Sequence, residues 1–312
     1  MKRKIIQIGQ TSKIISLPKP WVDKNELNKG DEVNIKEVNN RLVIENPTFS
    51  ESFEKEYDID GYDRTSIQLL IRSAYFSGVN KIVLKYSNRE FYHFRQKKNK
   101  DIEIIINEEL MRISGYTLIE VTDSYAIIES LSHDRAEDFQ TFYKNGIQEF
   151  ISALNYIKVE PLDSINFEAY HNRITLFFNV ASRNIIKFHT TEQKYVLYHN
   201  IIRELDILLD IYKYFFRYAK LMNKLDSYEL KEKLNNVVSY CEEVFNELLG
   251  EHLTNASKIY ELKEKVKADN IKIEKDPKMS FLSGYLYSIL ELTLNVILSC
   301  VSLNILLSKE ED

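Results

Sequence analysis

Two short apolar runs open the chain. Lys4-Ile5-Ile6-Gln7-Ile8-Gly9 and Lys13-Ile14-Ile15-Ser16-Leu17-Pro18, parted by a turn at Gln10 to Ser12, predict an antiparallel strand pair. Pro18 and Pro20 stop the ladder, and Pro20 suits the first turn of a short helix running through Trp21, Val22 and Leu27 to Gly30. Asp31 to Lys36 and Arg41 to Glu45 then set Val33, Ile35, Leu42, Val43 and Ile44 around Asn39-Asn40, the pattern of a second hairpin. Four strands and one helix in so little chain cannot bury a core alone. Two copies are therefore expected to interleave their hairpins into one shared barrel, which makes dimerisation obligatory.

After Pro47 the stretch Thr48 to Gly61 has no clear period and reads as a linker with some strand character. Ile67, Leu70, Ile71, Ala74 and Tyr75 recur at helical spacing across Tyr62 to Ser77, and Gly78 ends the run. Lys81 to Tyr86 alternates as a strand, a second helix is expected around Asn107 to Ile113, and Thr117 to Thr122 with Tyr125 to Leu131 reads as a hairpin across Asp123-Ser124. From His133 onward the pattern turns helical. Segments of 3.6-residue period span Ala136 to Lys158, Ser164 to His189, Glu192 to Asn223, Tyr228 to Leu249, Leu253 to Ala268 and Phe281 to Ser308. Their breaks fall at Pro161, Leu225-Asp226, Gly250 and Asp276-Pro277, and six such helices imply two packed triplets.

The fold class expected is multi-domain and mainly α: a swapped-hairpin half-barrel at 1–47, a linker and small α/β module at 48–132, and a six-helix domain at 133–312 whose triplets are 133–224 and 225–312. Phe281 to Leu307 holds one charge, Glu291, and is long enough to span a bilayer. Glu291 near its middle, together with Asn295 and Asn304, favours a buried bundle helix, so no stable membrane insertion is expected. Cys241 and Cys300 are too few and too far apart for a disulfide framework, which suits a reducing cytoplasm. The basic start, Met1 to Ile6, is not followed by the long apolar stretch of a secretory signal.

Charge separates the head from the body. Of 42 Lys/Arg and 47 Asp/Glu in the chain, Met1 to Asn46 carry nine and six, a net +3, so the remainder carries a net −8. Neutralising nucleic acid needs local cations, so only the head is suited to meet phosphate backbone. Lys2, Arg3, Lys4 and Lys13, with Lys19, Lys24 and Arg41, are the candidate DNA contacts, and Ser12 is a short hydrogen-bonding companion. A dimer doubles each and spaces them for pseudo-palindromic DNA. Trp21 and Leu17 read as core.

Ile8-Gly9 through Ser16-Leu17-Pro18-Lys19-x-Trp21, followed by Lys29-Gly30-Asp31-Glu32-Val33, resembles the AbrB/SpoVT/MazE swapped-hairpin family over about the first 46 residues. The resemblance implies DNA binding by a homodimer. Many such DNA binders carry paired arginines on the short helix after the proline, where this chain has Val22 and Asp23. The order of modules over the whole chain, such a head followed by an α/β module and two helical triplets, resembles archaeal-type PhoU phosphate-uptake regulators. That resemblance implies a role in phosphate uptake and either a phosphate transporter or a sensor kinase as partner.

PhoU-type proteins hold multinuclear metal on acidic-x-x-x-Asp patterns, and by that resemblance Asp206 and Asp210 are candidate ligands for a divalent or iron-type ion. The second triplet offers Glu291-x-x-x-Asn295 in the matching place, one carboxylate short. The alternative is an ion-paired stripe, since His199, Arg203, Asp206, Asp210, Lys213 and Arg217 follow one helical face. His93, His133, His171, His189, His199 and His252 are isolated in sequence, and no nucleophile elbow, phosphate loop or zinc motif accompanies them, so no enzymatic activity is expected. Arg95, Lys97, Lys98 and Lys100 read as a solvated loop. The function expected is a dimeric transcriptional regulator of phosphate uptake; the alternatives are an adaptor whose head only dimerises, and an antitoxin-like repressor whose helical tail neutralises a toxin.

Overall fold

A computed structural model of the chain describes residues 2–9, 11–38, 41–46, 53–131, 138–190, 192–250, 256–270 and 275–311. The predicted turn residues Gln10 and Asn39-Asn40, the start of the linker, His133 and His252 lie outside them, as does the side chain of Arg41. The chain divides into two compact units, 1–52 and 53–312.

In the first unit, β1 (Ile6–Ile8) pairs antiparallel with β2 (Ser12–Ile14), and β3 (Asn34–Val38) with β4 (Arg41–Glu45). Between the hairpins lies α1 (Lys19–Lys24), with Pro20 in its first turn. This helix stops earlier than Gly30. Asn25 caps it by donating from its side chain to the Trp21 carbonyl at 2.8 Å, and Glu26 turns into the left-handed region at φ 52°.

The second unit begins with β5 (Glu54–Asp58), so part of the expected linker is a strand. It is followed by α2 (Arg64–Phe76), β6 (Lys81–Lys85), a hairpin of β7 (Glu90–His93) and β8 (Lys98–Asp101), α3 (Ile102–Leu110), β9 (Tyr116–Val121) and β10 (Tyr125–Ser130). The main sheet has the order β5-β6-β10-β9, with β5 parallel to β6 and the other pairs antiparallel. Ile67, Ile71 and Tyr75 of α2 and Ile102, Ile105 and Ile106 of α3 cover this sheet with a continuous apolar layer. Asp63 starts α2 by accepting from the Thr65 and Ser66 amides, and Asp101 starts α3 by accepting from Glu103 at 2.9 Å. Two corrections follow. Lys98 and Lys100 stand on a strand rather than in a loop, and α3 begins five residues before the predicted Asn107 because its run Ile102-Glu103-Ile104-Ile105-Ile106 has a strand's composition.

The helices are α4 (Asp138–Val159), α5 (Phe167–Phe188), α6 (Gln193–Leu221), α7 (Tyr228–Gly250), α8 (Ala256–Asn270) and α9 (Pro277–Glu311). α4 packs on α5 and α7, while α6 runs along α9. One apolar core joins all six, so the two helical groups share an interior. By length and composition α9 could cross a membrane, and 44% of its apolar stretch is buried inside the chain. Gly146 is where α4 meets α5: a Cβ there would lie 2.5 Å from the Phe178 ring.

The α/β module and the helices belong to one compact unit. α5 is the link. Arg183, 1% exposed, lies over the rings of Tyr75 and Tyr116 and donates to the Tyr75 carbonyl, while the Asn179 side chain donates to the Arg112 carbonyl at 2.8 Å.

Candidate functional site

The first candidate site is the N-terminal unit, where the register sorts side chains by face. Ile6 pairs with Ile14 and Gln7 with Lys13, so Ile6, Ile8 and Ile14 share one face while Lys13 stands on the other. In the second hairpin Ile35 pairs with Ile44, and Leu42 shares their face. These apolar faces are bare: Ile6 is 53% exposed, Ile14 45% and Leu42 66%. No described residue of this unit is buried, and Trp21 and Leu17, expected as core, are only partly covered. Aliphatic side chains presented in register on both hairpins are what a shared core requires of each half.

Of the cations, Lys13 stands on the face of β1–β2 opposite these isoleucines. Lys2, Arg3 and Lys4 are exposed on the extended segment before β1, Lys13 is exposed on β2 beside exposed Ser12, and Lys19 and Lys24 stand exposed at the two ends of α1. Arg41 opens β4.

The second candidate site is a cleft of about 600 Å³ within the second unit, walled by α2, α3 and the β7–β8 hairpin on one side and by α5 and α6 on the other. Asp206 and Asp210 both line it. Asp210 accepts from His171 at 2.8 Å and from Lys213, and Asp206 lies 3.6 Å from Arg203. Burial pushes the Asp210 carboxyl up, but its hydrogen bonds from His171 and Lys213 outweigh this and hold it well below the usual carboxylate range. Asp206 moves the other way, raised by burial and by the neighbouring Asp210 charge against weaker pulls from Arg203, Arg72 and His171.

These contacts bear on the metal expectation. A hard cation needs several clustered carboxylate oxygens, whereas Asp210 is already held by a lysine and a histidine. Among the described residues no group of three or more His, Cys, Asp or Glu side chains is arranged to hold a metal ion. Glu291 of the other helical group is likewise engaged, by Lys263 at 2.8 Å. The donor set therefore does not fit a multinuclear metal, and the acidic pair belongs to an ion-paired stripe that also includes Arg217, 3.7 Å from Glu168.

Positive charge dominates the cleft: seven Lys and Arg side chains line it against four carboxylates. Sequence spacing showed only the α6 contribution. The other cations come from α2, the β7–β8 hairpin and the residues just after α3, far from α6 along the chain; Arg95 and Lys100 read as part of a solvated loop, and Arg64, Arg72 and Arg112 carried no pattern.

A family model described as antidote-toxin recognition MazE, bacterial antitoxin, matches residues 6–48. No curated protein and no solved structure matches the chain. The family match covers the two N-terminal hairpins and α1, so the first unit carries a MazE-type domain.

Proposed function

We propose that the protein is a homodimeric DNA-binding regulator in which the N-terminal unit forms a shared, basic, swapped-hairpin barrel and the second unit receives the signal. The observation that carries this is the presence of bare aliphatic faces on β1–β2 and β3–β4 together with exposed cations, Lys13 on the opposite face of β1–β2, in and just before the MazE-type segment. A second copy of the chain covers the aliphatic faces, and the cations then form one surface for phosphate backbone. The finer reading, regulation of phosphate uptake, rests on the order of modules: a head of this kind, an α/β module and two groups of three helices.

Fluorescence anisotropy of the full-length protein with mixed-sequence DNA at varied salt tests it. Each phosphate contact contributes roughly −0.9 to the slope of log K against log salt. Changing Lys2, Arg3, Lys4 and Lys13 together to Ala should flatten that slope and weaken binding across all sequences. Absent or salt-independent binding by a dimer would leave the head as a dimerisation clamp, the reading in which the helices serve as an adaptor. The MazE match also supports an antitoxin-type regulator, which predicts a stable complex with a small toxin encoded beside it.

A further inference from the structure

We infer that the cleft between the α/β module and α5–α6 binds a phosphorylated small molecule of nucleotide size. The inference concerns residues 53–312 and does not depend on DNA binding by the first unit.

The lining cations divide into two groups. Arg64 and Lys100 meet Glu108 at 2.7 and 2.5 Å, Arg72 meets the fully buried Glu109 through two bonds of 2.6 and 2.9 Å, and Lys213 meets Asp210. Those four are committed to structure. Arg95 and Arg112 are in no ion pair among the described residues, and Arg217 is held only loosely. Arg95 is exposed between β7 and β8 and forms no ion pair among the described residues, Arg112 bonds the Asn172 amide at 3.1 Å, and Arg217 approaches Glu168 only to 3.7 Å. Arg95 and Arg112, from two separate elements, thus face the cavity with no ion pair among the described residues, and Arg217 joins them from α6 in a loose pair with Glu168. Guanidinium forks match phosphate oxygens in pairs and keep their charge at any physiological pH.

A second observation is independent of charge. His93 Nδ1, His171 Nδ1 and Thr175 Oγ1 belong to residues at most 6% exposed, line the same cavity, and have no hydrogen-bond partner among the described residues. Buried polar atoms are rarely left this way. With small side-chain shifts on binding, a ligand oxygen would accept from the Thr175 hydroxyl or from a protonated Nδ1 of either histidine.

Size and surface narrow the class. A phosphate group carries about −1.5 to −2 at neutral pH, so one or two groups answer Arg95, Arg112 and the loosely paired Arg217. Inorganic phosphate would leave most of a 600 Å³ cleft empty, whereas that volume lies within the range of sites for larger ligands. Leu69 and Met111, both more than half exposed, and Tyr214 give the lining an apolar portion, suited to the ring of a nucleotide.

Isothermal titration calorimetry of the full-length protein with ATP, pyrophosphate and citrate tests the inference. ATP should bind saturably, one per chain, with pyrophosphate weaker and citrate weaker still. Arg95→Ala combined with Arg112→Gln should weaken ATP binding by at least about tenfold, the cost of losing two charge-assisted contacts. Arg95→Ala alone, at an exposed position, should weaken it in the same direction with an unchanged melting curve, which keeps the test valid if the double variant folds poorly. The variant lacking Lys2, Arg3, Lys4 and Lys13 should retain ATP binding, so failure at the cleft and failure at the head are read separately. No saturable ATP binding at about 1 mM, pyrophosphate or citrate binding as tightly as ATP, or ATP binding indifferent to the loss of Arg95 would each overturn the inference.

Discussion

The guanidinium of Arg183 on α5 lies 4.7 Å from the centre of the Tyr75 ring on α2, and it also donates to the Tyr75 backbone carbonyl. Tyr116 offers a second ring at 5.2 Å. A buried cation is costly to desolvate, and here two aromatic faces and a carbonyl supply the compensation. Because Tyr75 and Tyr116 belong to the α/β module and Arg183 to the helices, this one side chain ties together the two walls of the cleft.

Arg183→Met should therefore loosen the module from the helices. It keeps most of the buried stem but removes the cation and its hydrogen bond, at a cost of roughly 2–4 kcal/mol. Urea denaturation followed by circular dichroism measures this. An unchanged midpoint would show that the apolar contacts of α2 and α5 suffice without it.

Gly146→Ala sets two effects against each other. Replacing a helical glycine gains about 1 kcal/mol of helix propensity, yet the new methyl would stand 2.5 Å from Phe178 and 3.2 Å from Phe177. Overpacking of that kind costs about 1–3 kcal/mol. The steric cost should win, lowering the melting temperature, and a rise would mean that α4 and α5 can separate freely.

The two carboxylates of α6 should respond to pH with opposite signs. Asp210 is depressed in the folded chain, so its stabilisation is present above the ordinary aspartate value near 3.9 and is lost as pH falls from there. Asp210→Asn should flatten the acid limb of the stability curve and lower stability at pH 7 by roughly 1 kcal/mol, a modest figure because the side chain is partly solvated. Asp206 is raised, so it costs nothing below that ordinary value and destabilises increasingly as pH rises through its folded one. Asp206→Asn should stabilise the protein at neutral pH. Denaturation midpoints between about pH 3 and pH 8 separate the two variants.

Ile6→Glu with Ile14→Glu places two charges on the bare face of the first hairpin. Sedimentation equilibrium should then give a monomer where the parent chain gives a dimer. A dimer that survives both substitutions would locate self-association elsewhere in the chain.

Much of this architecture is determined by local chemistry and could be read before any coordinates. Period-3.6 apolar spacing located the long helices to within a few residues because each buries one continuous stripe, as Ile147, Phe150 and Leu154 do on α4. The β1–β2 hairpin was legible because Ile, Gly and Pro constrain the backbone within a few residues. Where local signals conflicted, reading failed: Ile102 to Ile106 have strand composition, and only the Asp101 cap together with packing on α2 makes them helical. The cleft was beyond the reach of sequence for a different reason. Arg95, Arg112 and Arg217 look like ordinary surface cations at their own positions, and spacing along one chain cannot show that a hairpin tip, a helix end and a distant helix face the same space. Folding brings those charges together through apolar contacts they do not make themselves, so tertiary structure alone decides that they share a site.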